Sequence, residues 1–70
     1  MSPLKLKMLN KLRLRRLLLG KTLDDIYLET EIWPSRLSRI ERGIFSPHPE
    51  EKEKIARALK VKSEKLFPEN

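Results

Sequence analysis

Ser35, Arg36, Arg39 and Arg42 carry the side chains best suited to chemistry in this chain. A guanidinium is planar, permanently charged and forked with N–H donors, so it suits paired acceptors such as phosphate oxygens or the O6/N7 edge of guanine. Wound at about 100° per residue from Trp33 to Ile44, the residues Leu37, Ile40 and Ile44 fall within roughly 60° of one another. They form an apolar stripe able to face a core. Ser35, Arg39 and Arg42 occupy a similar arc on the opposite side, with Arg36 on its flank. A helix that buries one side and points guanidiniums outward from the other meets the requirements for entering a DNA groove.

The remaining reactive types carry less. Asp24, Asp25, Glu29 and Glu31 could pass for paired carboxylates, but their place in the first turn of a helix and in the turn after it fits dipole complementation better than acid–base work. His48 is the sole histidine, and one imidazole makes neither a metal site nor a dyad; it is expected to begin a helix. The chain has no cysteine, which excludes disulfides and thiolate metal sites. No enzyme activity, metal or cofactor is expected.

These side chains need a scaffold, and 70 residues support one small domain, read here as spanning 1–70. The net charge of +6 favours a polyanionic partner, DNA, RNA or an anionic membrane surface, so the placement of the cations has to decide. No apolar stretch approaches the roughly 20 residues that span a bilayer, and the Lys/Leu-rich start lacks a small-residue cleavage site, so neither a membrane span nor a leader is expected.

Five segments read as helical and none as a strand. The first runs from about Leu6, or earlier, to Leu19 and stops at Gly20. Leu6, Leu9, Leu12, Leu17 and Leu19 read as its apolar face, and residues 1–7 as an arm or helix extension begun by Ser2-Pro3. The second opens at Thr22, an N-cap followed by Asp24 and Asp25. Glu31-Ile32 makes a turn, and Pro34 takes the first position of the third helix. A loop broken by Gly43 and Pro47 leads to a fourth helix from about Pro49 to Lys60. A last turn, Ser63 to Phe67, begins at a Ser cap. The expected fold is an all-α, compact five-helix domain.

Arg16, the TLxxI run at Thr22–Ile26, SRIERG at Ser38–Gly43, Pro47, and KIARAL with Val61 follow one another in order. Together they resemble the lambda repressor/Cro-like helix-turn-helix family, also called the XRE family, over roughly Lys11 to Phe67. The resemblance implies a DNA-binding domain, usually dimeric, with its helix-turn-helix at about residues 22–42, the third helix entering the major groove. Carried over position by position, it places Ser35, Arg36 and Arg39 against bases, with Pro34 at the start of that surface. It places Thr22 against a phosphate, and Arg42 and Ser46 beside the DNA backbone. Arg16 and Glu41 match a charged pair tying helix one to helix three.

The chain departs from the family pattern near its turn. Leu23 stands where many members have a polar residue. Tyr27 replaces a usual Ala, which predicts a wider crossing of helices two and three. Glu31 replaces the usual turn Gly, so the turn either does without positive φ or carries mild strain. Trp33 replaces a small polar cap and is expected to plug the space between helices two and three, with stacking on DNA as the alternative.

The function expected from these readings is sequence-specific binding of double-stranded DNA by a cytoplasmic, nucleoid-associated transcriptional regulator, most simply a repressor. Alternatives are an antitoxin-type autorepressor, a protein-interaction module that keeps the fold without reading DNA, and non-specific nucleic-acid packaging. A homodimer is expected, formed through the C-terminal region at Val61, Leu66 and Phe67, while Leu14 and Leu18 on helix one offer a second surface for another subunit or a protein partner.

Overall fold

The computed structural model describes the backbone of residues 3–67 and the side chains of residues 11–67. Five helices follow in order: α1 (Pro3–Leu18), α2 (Leu23–Thr30), α3 (Pro34–Glu41), α4 (Pro49–Ala58) and α5 (Ser63–Leu66). There is no strand among the described residues. α1 packs on α3, α2 on both α3 and α4, and α5 on α4. No helix among the described residues is long and apolar enough to cross a membrane.

The helix ends follow from residue chemistry. α1 starts at Pro3, whose missing N–H costs nothing in a first turn, so residues 3–7 form the helix extension, the second of the two readings of that segment. It closes at Gly20, which adopts φ 69°, while the Lys21 N–H returns to the Arg16 carbonyl at 3.0 Å. α2 begins with a full capping box: Thr22 Oγ1 accepts the Asp25 N–H at 3.1 Å, and Asp25 Oδ2 accepts the Thr22 N–H at 2.9 Å. At its far end the buried Thr30 hydroxyl donates to the Ile26 carbonyl at 2.7 Å and accepts the Ile32 N–H at 3.1 Å, satisfying the turn from within. Glu31 takes the left-handed conformation at φ 66° and donates its N–H to the Tyr27 carbonyl. Of the two alternatives for this turn, mild strain is therefore the outcome.

Pro34 opens α3, and Trp33 supplies no side-chain cap. The helix ends at Glu41, and Gly43 turns the chain away at φ 77°. The core gathers Leu12, Ile26, Ile32, Leu37, Ile40, Ile55, Ala56, Ala58, Leu59 and Leu66, with Leu19, Leu23, Val61 and Phe67 packed against it. Leu37, Ile55 and Leu59 are wholly enclosed, and truncating any one to Ala costs about 2–5 kcal/mol.

Several expectations need correction. Ile44 does not extend the stripe of Leu37 and Ile40: it is 59% exposed, because the helix on which the periodicity was drawn stops at Glu41. Leu17 is exposed rather than part of the apolar face of α1, where Leu12 is buried and Leu19 packs on the core; the side chains of Leu6 and Leu9, like Ser2 as a whole, lie outside the described residues. Trp33 plugs nothing, being 65% exposed and stacked on Tyr27 at 5.1 Å between centroids and 18° between planes. Lys62, not Ser63, occupies the cap position of α5. Leu66 is buried, while Val61 and Phe67 pack against the core and stay partly exposed.

Candidate nucleic-acid interface

α3 is positioned from behind and from below. Leu37 and Ile40 sink into the core, and Glu41 at the same helix's end is anchored to α1. Arg16 Nε donates to Glu41 Oε2 at 2.7 Å and Nη2 donates to Oε1 at 3.2 Å, both side chains being almost fully enclosed. The remaining Arg16 amine, Nη1, donates to the Lys21 carbonyl at 3.0 Å. This fork–fork geometry with a third acceptor leaves no buried donor unmet and locks the register of α3 against α1.

The face of α3 turned away from the core carries the arginines. Ser35, Arg39 and Arg42 are exposed, Arg36 and Pro34 half-buried. Arg42 Nε lies 3.4 Å from the Ser38 carbonyl, a long contact that leaves its head in solvent. Ser46 is exposed in the loop that follows. Thr22 is also exposed, at the start of α2. Its oxygen accepts the Asp25 N–H within the capping box. The Asp25 carboxyl lies below the usual range, chiefly because it accepts the Thr22 N–H and also bonds the Thr22 side chain.

Two residues that the sequence did not single out complete the site. Phe45 is tied to α3 through its N–H to the Arg39 carbonyl at 3.3 Å. Its ring lies under two guanidiniums, Arg36 at 5.4 Å and Arg39 at 5.7 Å from the centroid. Glu51, in the first turn of α4, takes Arg36 in a second fork: Nε to Oε2 at 2.8 Å and Nη2 to Oε1 at 2.9 Å. Glu51 Oε1 also accepts the His48 N–H at 2.8 Å, capping α4. The Arg36 guanidinium holds the Glu51 carboxyl down at about 2, against partial burial, with help from the His48 N–H. The same bond raises Arg36. The spacing His48-x-x-Glu51 was a readable capping signal; its link to Arg36 was not, because the loop through Gly43 and Pro47 decides it.

Two further cations are committed to the fold. Arg15 Nε and Nη2 donate to the Leu59 and Lys60 carbonyls at 2.9 and 3.1 Å. Lys21 Nζ donates to the Ala58 carbonyl at 2.8 Å and to Glu29 Oε2 at 2.6 Å. Cations thus cluster at the negative, C-terminal end of α4.

A helix-turn-helix family model matches residues 12–66. The chain belongs to the lambda repressor/Cro-like helix-turn-helix family. That makes it a DNA-binding domain of the transcription-regulator kind, with α2, the turn at residues 31–33 and α3 as the family's signature element. Neither the curated proteins nor the solved structures provided a match. No group of His, Cys, Asp or Glu among the described residues is arranged to hold a metal ion.

Proposed function

We propose that the chain is a sequence-specific repressor that binds double-stranded DNA with α3 in the major groove and acts by occupying its site. The observation that carries this reading is the pairing of Arg36 and Arg39 over one ring, with Arg39 on the side of α3 away from Leu37 and Ile40 and Arg36 on its flank. Ser35, Arg36 and Arg39 read base edges, Pro34 sets the start of that surface, and Thr22, Arg42 and Ser46 hold phosphates. The helix N-terminus enters first, which brings the exposed Trp33, stacked on Tyr27, next to the duplex. A protein of this kind works in the cytoplasm, at the nucleoid. Selection of preferred duplexes from a random pool tests the reading: one enriched sequence class supports it, and unbiased recovery points to non-specific packaging.

A protein contact is the second component of this reading, and it is favoured by the exposed leucines of α1. Leu14, Leu17 and Leu18 lie within five positions on one helix, Leu18 being 77% exposed. With Leu66 in the core and Val61 and Phe67 partly covered, this face of α1 is where a second copy or another protein would dock. In a dimer, the enriched sites would carry two half-sites about one helical turn apart. Light scattering of the protein with and without its selected duplex checks this, and a strictly monomeric mass in both states contradicts it.

A further inference from the structure

We propose that Glu51 and Phe45 act as a positioning pair that makes Arg36 a dedicated guanine reader, leaving Arg39 as the adaptable member of the two. The inference rests on α3 entering the major groove and deepens that reading to a base identity.

The geometry of the fork carries it. Glu51 occupies the Nε and Nη2 edge of the Arg36 guanidinium at 2.8 and 2.9 Å. Both N–H groups of Nη1 and the second N–H of Nη2 remain, and one from each amine points along the end-on edge that meets the O6 and N7 acceptors of guanine. The Phe45 ring faces the same guanidinium at 5.4 Å. One edge held by a carboxylate and one face held by a ring fix the plane before any DNA arrives. The carboxylate is itself fixed, because its Oε1 also receives the His48 N–H. The pair is sheltered, with side-chain exposures of 30% and 15% for Arg36 and Glu51. An arginine prepared in this way loses little rotamer freedom on binding, so the preorganisation favours the one base whose acceptors match it. Adenine presents a donor where guanine presents O6 and is rejected.

Arg39 has the Phe45 ring at 5.7 Å and no carboxylate among its described bonds. It keeps its torsional freedom and can adjust to the base edge it meets. Glu51 also places a negative charge near the duplex, which weakens binding to any sequence. Both effects act in the same direction, raising discrimination rather than affinity.

The test uses the duplex that the wild type selects from a random pool, with each guanine replaced in turn by 7-deazaguanine, which lacks N7. We expect one guanine whose replacement weakens the wild type by about tenfold or more and leaves Arg36→Ala unaffected. Glu51→Gln keeps the side-chain volume and an acceptor for the His48 N–H while losing the fork. It should cut the discrimination at that guanine by about fivefold or more, without weakening binding to a scrambled duplex, and should leave discrimination unchanged in the Arg36→Ala background. Phe45→Leu, a half-exposed position with the ion pair intact, should cause a smaller loss of the same kind. Unchanged discrimination in Glu51→Gln makes Glu51 a purely structural partner and overturns the proposal. Tighter binding of Glu51→Gln to the guanine site, with discrimination kept, also overturns it, by making Glu51 a latch that holds Arg36 off the DNA. A selected site with no guanine sensitive to Arg36 overturns it as well, while the groove-reading function stands. Failure of the wild type to enrich any site removes both.

Discussion

Single residues in this chain are under pressures that pull in different directions. Glu31 occupies a left-handed turn position that an L side chain adopts at a cost of roughly 1 kcal/mol or more. Glu31→Gly removes that cost and adds the smaller backbone entropy of glycine, so we expect a gain of about 0.5 kcal/mol in urea unfolding. Arg16 and Glu41 behave in the opposite way. Their fork contributes little net stability against well-packed apolar residues, but removing one partner strands a buried charge. Glu41→Ala should cost about 3–5 kcal/mol, enough to unfold much of a domain this small at 37 °C, and circular dichroism melting checks it. A Glu41→Ala protein that melts with the wild type would remove the pair from the account of how α3 is held. Trp33 shows how a residue type can mislead. An aromatic between two helices reads as core, yet the left-handed turn at Glu31 and the proline at position 34 bring it out onto Tyr27.

At the scale of elements, helix boundaries and capping residues were the most legible part of the sequence. Thr22 with Asp25, Pro34, Gly20 and Gly43 each encode a start or stop in local chemistry, and each stands at such a point. Periodicity was legible only within those boundaries: carrying the stripe of α3 on to Ile44 failed because it crossed the end of the helix. The coupling between α3 and α4 was illegible for a different reason. Arg36 and Glu51 are distant in sequence, and only the path of the loop between them brings the groups into a fork. Reading Arg36 as a side chain directed at bases omitted this partner. The coupling has a pH signature. The Glu51 carboxyl is lowered from 4.5 to about 2 in the fold, so its contribution is complete above pH 4.5 and is lost as pH falls from there toward 2. After allowance for solvent screening at the partly exposed Arg36, the loss is on the order of 2 kcal/mol. Wild-type stability should therefore fall more steeply between pH 4.5 and 2 than that of Glu51→Gln. Parallel profiles would show that the fork contributes no net stability.

For the whole molecule, a charge of +6 is a poor guide to the interface by itself. Arg15 and Lys21 hold the C-terminal end of α4, Arg16 holds Glu41, and Arg36 holds Glu51. Arg39 and Arg42 stand exposed on and just after α3, so the proposed binding draws on these well-placed groups before bulk charge. Phosphate contacts release counterions, and Arg42→Ala should reduce the slope of log affinity against log salt by about 1, equally on specific and scrambled duplexes. An unchanged slope would place Arg42 away from the backbone. The exposed leucines of α1 add a separate, apolar surface that DNA reading leaves uncovered. The central claim, that α3 reads base edges, is tested most directly by the affinity of Arg39→Ala for the wild-type selected duplex and for its scrambled counterpart at one salt concentration. The account predicts that the ratio of the two affinities falls by about tenfold, while binding to the scrambled duplex changes far less. Equal losses on both duplexes would make Arg39 a phosphate contact and contradict the claim.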